Sequence, residues 1–186
     1  ALVLFFVIGC CGAVLLGRLS DIVDYLLYID KKTGMPNREK LNIYIGEMAG
    51  KVLPEAFTCF TLSLDNLSEL TKRFGYTVGD GVLKDFAGLV QLMGDTEGMR
   101  GYNGVGRFVV FFEECSSKKA AAMIRILDNQ VEEYNSLNPE YPIRYTAAWA
   151  TTEETDTYEI RELLRLSQKK WKQMEKEKKD KTEEET

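Results

Sequence analysis

The segment Phe57–Leu64 constrains the fold most, because it carries apolar residues on both faces of a strand. Such a strand lies in the middle of a sheet that is covered on two sides. Strand patterns recur at Met99–Asn103, Arg107–Glu113 and Ile143–Trp149, the first two joined by a tight turn. Helical spacing of apolar residues is found at Leu41–Val52, Leu67–Phe74, Gly79–Met93, Ser116–Tyr134 and Tyr158–Met174. This order predicts an α+β sandwich, with helices on both faces of a mainly antiparallel sheet and the hairpin at its centre.

Composition excludes several classes of function. The chain has 186 residues and no histidine, which excludes Ser-His and Cys-His nucleophiles and the commonest neutral metal ligand. Any metal would sit on carboxylates, as magnesium or calcium does. The formal net charge of -5 gives no electrostatic basis for binding nucleic acid. The length accommodates one domain of about 100–150 residues with an anchor and a tail.

The N-terminal region is uniformly apolar. Residues 1–17 contain no charged side chain, and Arg18 follows directly. A membrane span needs roughly 20 apolar residues, and the chain begins without methionine, so residues 1–17 are expected to be the end of a transmembrane helix. A signal-peptide core and a buried helix are the alternatives. Arg18, Lys31 and Lys32 favour a cell-membrane location with the domain on the cytoplasmic side.

Residues 18–29 have apolar side chains mostly at helical spacing, which predicts a linker helix that continues from the membrane into the domain. Such a stripe serves either plain packing or a homodimer that carries a signal. At the other end, residues 175–186 contain no apolar side chain. They are expected to form a solvated helix end or a disordered tail.

Three motifs stand in the region between. They are Asp30-Lys-Lys-Thr-Gly-Met-Pro-Asn-Arg38, the stretch Phe60–Asp80 with its Gly-x-x-x-Gly-Asp turn, and Tyr102-Asn-Gly-Val-Gly-Arg-Phe108. Together they resemble the GGDEF family of diguanylate cyclases. The resemblance implies a palm-like fold for a degenerate GGDEF domain over residues 30–174. It also implies a chemistry that joins two GTP molecules with the help of magnesium.

The resemblance places the first metal-binding acid of the family on a residue that cannot fill the role. The acid falls on Ser63 of Ser63-Leu-Asp65, and the phosphate-cradling backbone falls on Leu67-Ser68. The asparagine that recognises guanine falls on Thr71. Asp80 matches the family and stands where the base is contacted. Asp65 is the nearest candidate to replace the missing ligand, although an acid at this second position of the family's Asp-x-Asp more often faces away or caps the helix.

The signature turn departs from the family as well. It reads Gly104-Val105-Gly106-Arg107-Phe108, so the second glycine is Val105, the metal acid is Gly106 and the second acid is Arg107. The phosphate-binding Lys and Arg of the last helix have no recognisable match in Trp171-Lys-Gln-Met-Glu-Lys176. Both metal carboxylates are therefore absent from the positions that the resemblance assigns to them.

The sequence therefore predicts a membrane-tethered GGDEF-like domain that is not an enzyme and acts as a signalling or interaction module for a protein partner. One alternative is a sensor that binds a purine nucleotide, GTP or cyclic di-GMP, without turnover; the other is a residual diguanylate cyclase. Candidate nucleotide contacts are Asp65, Asp80, Gly104, Gly106 and Arg107. No cofactor is expected, and magnesium would be required only by a cyclase.

Overall fold

The structure of the chain is a computed structural model, which describes Val14 and residues 17–19, 21–94 and 98–184. The helices are α1 (residues 21–28), α2 (Arg38–Met48), α3 (Leu67–Phe74), α4 (Tyr76–Gln91), α5 (Ser117–Leu137), α6 (Thr152–Thr155) and α7 (Ile160–Glu184). The strands are β1 (Thr58–Leu64), β2 (Gly98–Gly104), β3 (Arg107–Phe112) and β4 (Tyr145–Thr151).

The four strands form one antiparallel sheet in the order β2-β3-β1-β4. All seven residues of β1 are buried, which confirms that it is a central strand covered on both faces. The expectation that the hairpin lies at the centre was wrong. Because β1 pairs with both β3 and β4, the hairpin strand β2 is displaced to one edge of the sheet.

Alternate residues of the central strands face two separate cores. Phe60 and Leu62 point into a core shared with α4 and α5, whereas Phe57 and Cys59 point into a core shared with α2 and α7. The period of two in a strand places Ser63 on the same side as Cys59, towards α7. The predicted α+β architecture, with helices on both faces of the sheet, is confirmed.

Two helix boundaries differ from the sequence prediction. We expected Gly79-Asp80 to open a helix, but α4 begins at Tyr76, after Gly75 at a φ of +89°. Asp80 therefore lies inside α4 and cannot cap it. The last helix was expected to end near Met174, and α7 continues to Glu184. Of the two alternatives for the charged stretch, its described part takes the helical one, which is consistent with its many Lys and Glu residues.

The N-terminal expectations fall largely outside the described residues. Of residues 1–17, only Val14 and Gly17 are described. Within the described part of the chain, no helix is long and apolar enough to cross a membrane. Residues 21–28 are helical, and the apolar side chains there are not covered: Ile22, Val23, Leu26 and Leu27 are each at least 50% exposed.

Candidate functional site

The end of β1 and the turn of the β2–β3 hairpin lie side by side. Ser63 and Arg107 are direct partners in the β1–β3 register. The backbone N–H of Leu64 donates to the Gly106 carbonyl at 2.8 Å. Directly paired residues of neighbouring strands project on the same face of the sheet. The structure thus brings together Ser63, Gly106 and Arg107, which sequence analysis had placed in one site.

The hairpin turn keeps a left-handed backbone despite its altered residues. Its two central residues, Val105 and Gly106, have φ values of +52° and +70°. Positive φ at both positions is the requirement of a type I′ turn. Two features favour glycine at position 106. Its φ is positive, and a Cβ there would lie 3.2 Å from the Leu64 carbonyl oxygen, which is a tight contact. Val105 is unfavourable at its position in the turn, since a β-branched residue at positive φ is an outlier.

Ser63 accepts a hydrogen bond from a residue that was not among the candidate site residues predicted from the sequence. The indole Nε1–H of Trp171 donates to the Ser63 hydroxyl at 2.9 Å, and Ser63 donates to Asp65 Oδ1 at 2.6 Å. Trp171 lies in α7 and is only 8% exposed. Its helical spacing from buried Ile160, Leu163 and Ser167 is the signal that predicts an inward orientation.

Asp65 is held by partners from β4 and α7. Thr146 donates its hydroxyl to Asp65 Oδ2 at 2.6 Å, and the Lys178 ammonium lies 3.6 Å from the same oxygen. Lys178 also donates to the Thr146 hydroxyl at 2.8 Å. With Ser63 on Oδ1, both carboxylate oxygens of Asp65 accept a hydrogen bond. Neither Thr146 nor Lys178 was predicted from the sequence, because neither stands in a recognisable motif.

These residues do not fit a magnesium ion. Magnesium prefers carboxylate oxygens in octahedral geometry. Here the strand end offers one hydroxyl that already accepts from an indole N–H, and Arg107 places a cation opposite it. The carboxylate of Asp65 accepts hydrogen bonds from Ser63 and Thr146 and has the Lys178 ammonium beside it. The described residues contain no group of three or more His, Cys, Asp or Glu side chains that would bind a metal.

The two positions that the resemblance assigns to base recognition are also engaged within the chain. Asp80 accepts a hydrogen bond from the Lys32 ammonium at 2.8 Å, and this bond raises the pKa of Lys32 above its usual range. Thr71 donates to the Leu67 carbonyl at 2.8 Å. Thr71 also packs closely on Gly79, where a Cβ would lie well under 3.0 Å from its hydroxyl.

An open cleft of about 550 Å³ lies between α3, the hairpin turn and α7. Its lining includes Ser63, Thr71, Lys72, Val105, Arg107 and Trp171. Of the five candidate nucleotide contacts, Asp65 and Arg107 line this cleft, whereas Asp80, Gly104 and Gly106 do not. The cleft is where the sequence-predicted positions Ser63, Asp65, Thr71, Val105 and Arg107 meet.

The charges of this cleft are unequally paired. Its two acids have partners, since Lys178 lies beside Asp65 and Lys179 donates to Glu175 at 2.9 Å. Its two cations, Lys72 and Arg107, form no ion pair with any residue that the structure describes. The cleft therefore presents positive charge.

A second cleft, of about 670 Å³, lies on the other side of Asp65 and differs from the first in how its charges are paired. Its charged side chains form pairs with one another, including Arg144 with Glu69 and Lys179 with Glu175. Paired surface charges of this kind are mutually satisfied and attract an ionic ligand only weakly. The first cleft is therefore the better candidate for binding.

Comparison with known proteins places the chain among related folds. The family described as "Diguanylate cyclase, GGDEF domain" matches residues 27–181. No curated protein matches the chain. The fold is similar to a diguanylate cyclase/phosphodiesterase from Caldicellulosiruptor saccharolyticus (TM-score 0.62, 18% identity, 82% of this chain and 91% of that chain). It is also similar to the coiled coil and GGDEF domain of DgcB from Caulobacter crescentus in complex with c-di-GMP (TM-score 0.64, 14% identity, 78% and 80%).

A third similar structure is the S helix-GGDEF-EAL part of LapD from Vibrio cholerae, bound to c-di-GMP (TM-score 0.61, 12% identity). The match covers 73% of this chain and 31% of that one, so the chain spans about a third of the length of this relative. At identities this low, the similarity to all three structures concerns the fold alone.

Proposed function

The chain belongs to the GGDEF domain family, and from this membership we propose that it is a catalytically inactive member that serves as a signalling or interaction module. The observation that carries the proposal is the hydrogen bond from Trp171 to Ser63, with Arg107 directly opposite Ser63. A serine and a glycine, Ser63 and Gly106, thus stand at the positions of the family's two metal acids, and a cation, Arg107, stands at the second acid of the signature turn.

Loss of the metal site argues against cyclase activity on physical grounds. Attack of a 3′-hydroxyl on an α-phosphate builds negative charge that magnesium stabilises, typically by several kcal/mol. Asp65 is a poor substitute ligand, since its oxygens accept hydrogen bonds from Thr146 and Ser63 and the Lys178 ammonium lies beside it. A residual cyclase would have to bind magnesium without a carboxylate at either of the family's two metal positions, Ser63 and Gly106.

A second candidate function is binding of a guanine nucleotide without turnover. The observation in its favour is that Arg107 and Lys72 line the cleft without an ion-pair partner among the described residues. Arginine binds phosphate through paired hydrogen bonds and needs no metal for it. Against it stand the engaged base-recognition positions, Thr71 and Asp80.

Membrane attachment and dimerisation belong to the same proposal. The apolar run of residues 1–17 followed by Arg18 supports a membrane anchor with the domain on the cytoplasmic side. The uncovered apolar side chains of α1 support a homodimer through the linker helix. The DgcB structure, which contains a coiled coil and a GGDEF domain, is consistent with that arrangement.

Thermal shift of the full chain with GTP, GDP, ATP and cyclic di-GMP, with and without magnesium, tests these alternatives. A ligand at 100 times its dissociation constant adds about 2.7 kcal/mol of stability. The inactive module is expected to show no magnesium-dependent shift with GTP and no cyclic di-GMP product by chromatography. A magnesium-dependent shift together with product formation would refute the proposal. A magnesium-independent shift that Arg107→Gln abolishes would establish the nucleotide sensor instead.

A further inference from the structure

The tip of the β2–β3 hairpin carries a side chain that destabilises the fold. Val105 has a φ of +52° and its side chain is 83% exposed. The left-handed conformation costs an L residue about 1–2 kcal/mol. Burial offsets little of this cost, because most of the side chain is exposed. Strained backbone of this kind clusters at active sites, ligand clamps and switch regions.

Val105 has apolar neighbours in the same cleft. Tyr76, at the start of α4, is 78% exposed and lines the cleft together with Val105, while the ring of Trp171 lies at its base. Single exposed apolar residues need no explanation, but apolar side chains that converge on one cleft indicate an interaction site. Aromatic residues and arginine are also the types that dominate the energetics of protein interfaces.

Two cations flank this apolar surface. Lys72 of α3 and Arg107 of β3 line the cleft, and the acids that share the cleft with them are paired to lysines of α7. We propose that this cleft docks a segment of a partner protein in which an apolar side chain is flanked by carboxylates. The apolar side chain would contact Val105 and Tyr76, and the carboxylates would pair with Arg107 and Lys72. The docking proposal rests on the proposed role as an interaction module and specifies the kind of partner.

Charge argues against a second copy of the chain as the occupant. In a two-fold symmetric dimer the same patch faces itself. Pairing through this cleft would bring Lys72 and Arg107 near their own counterparts, and like charges across an interface cost several kcal/mol. An acidic partner removes this repulsion and satisfies both cations, so charge complementarity selects it.

The test uses the full chain and fluorescein-labelled octapeptides in which a central Leu, Phe or Trp is flanked by glutamates. Peptides with glutamine in place of glutamate serve as controls. Fluorescence anisotropy is expected to show that the glutamate peptides bind, and that glutamine weakens binding roughly tenfold, which equals about 1.4 kcal/mol. Failure of every glutamate peptide to bind, or equal binding of the glutamine peptides, would overturn the inference.

Variants of the chain locate the binding. Arg107→Gln and Val105→Gly are each expected to weaken peptide binding roughly tenfold, since the first removes a charge-assisted pair and the second an apolar contact. Arg125→Gln, at an exposed position of α5 that does not line the cleft, makes the same charge change and should leave binding unaltered. Val52→Gly controls for the loss of an equally exposed valine.

Three other outcomes would also overturn the inference. They are binding that survives both cleft variants, self-association that Val105→Gly abolishes, and a guanine nucleotide that competes with the peptide and requires Arg107. None of these depends on catalysis. If cyclic di-GMP is formed, the proposed function fails as well; if no peptide binds and no product forms, only the docking inference fails.

Discussion

Replacing Val105 with glycine isolates the strain at the hairpin tip. The substitution removes the left-handed penalty, about 1–2 kcal/mol for an L residue, and loses little burial because the side chain is 83% exposed. Glycine in turn loses more conformational entropy on folding, about 0.5–1 kcal/mol. The variant is therefore expected to be more stable than the original chain, by up to about 1.5 kcal/mol.

Val52→Gly is the matched control for this measurement. Val52 is 84% exposed and has an ordinary negative φ, so its substitution carries only the entropic cost of glycine. The difference in stability between the two variants should equal the left-handed penalty, about 1–2 kcal/mol. For a chain of this size that is a difference in Tm of roughly 2–8 °C.

Urea unfolding and thermal melting followed by circular dichroism measure this difference. If Val105→Gly proves no more stable than Val52→Gly, the turn is not strained. Strain at Val105 would then no longer support a docking site at this cleft. If Val105→Gly is more stable yet binds the acidic peptides more weakly, folding and binding make opposite demands on this one residue, as the reasoning requires.

Three further predictions concern packing and titration. Gly79→Ala is expected to destabilise the fold by about 1–3 kcal/mol, because its Cβ would crowd the hydroxyl of Thr71; Thr71→Ala should recover part of the loss in urea unfolding, and no recovery would refute the clash. Trp171→Phe removes the indole donor to β1 and should cost about 0.5–1.5 kcal/mol; an unchanged urea midpoint would show that the bond adds nothing. Burial and the hydrogen bond to Asp85 raise the pKa of Tyr134 from 10.0 to about 12, so the stability that this group contributes is present below pH 10.0 and lost as the pH rises through about 12. Asp85→Asn should lower that pKa, followed as the phenolate absorbance that Tyr134→Phe removes, and an identical titration in Asp85→Asn would contradict the assignment.

Much of the fold was predictable because its signals are local. The burial of β1 on both faces follows from its apolar composition, and the helices that cover it follow from the spacing of their apolar residues. The position of the hairpin was not predictable in this way. Whether β1 pairs with β3 alone or also with β4 depends on contacts between residues far apart in the chain, and a strand pattern does not record its neighbours.

The start of α4 shows the same limit on a smaller scale. Gly79-Asp80 resembled a helix start because aspartate is a favoured cap. In the structure Gly75, at positive φ, makes the turn and α4 begins one residue later. The close approach of α3 then requires Gly79 to lack a side chain. The sequence predicted Gly79 in a turn, but it lies inside α4, and the reason for a glycine there is a helix contact that only packing creates.

The candidate site also has features that the sequence determines and others that only the tertiary structure determines. The sequence alone determined which groups are missing: there is no histidine, and the positions assigned to the two metal acids are Ser63 and Gly106. Only the tertiary structure decided what replaces them. Trp171 reaches Ser63 across 108 residues and Lys178 reaches Asp65 from the same helix, because burial of its apolar face packs α7 onto the sheet. The identity of each residue can be read directly from the sequence. Its hydrogen-bond partners depend on which apolar faces the chain buries together.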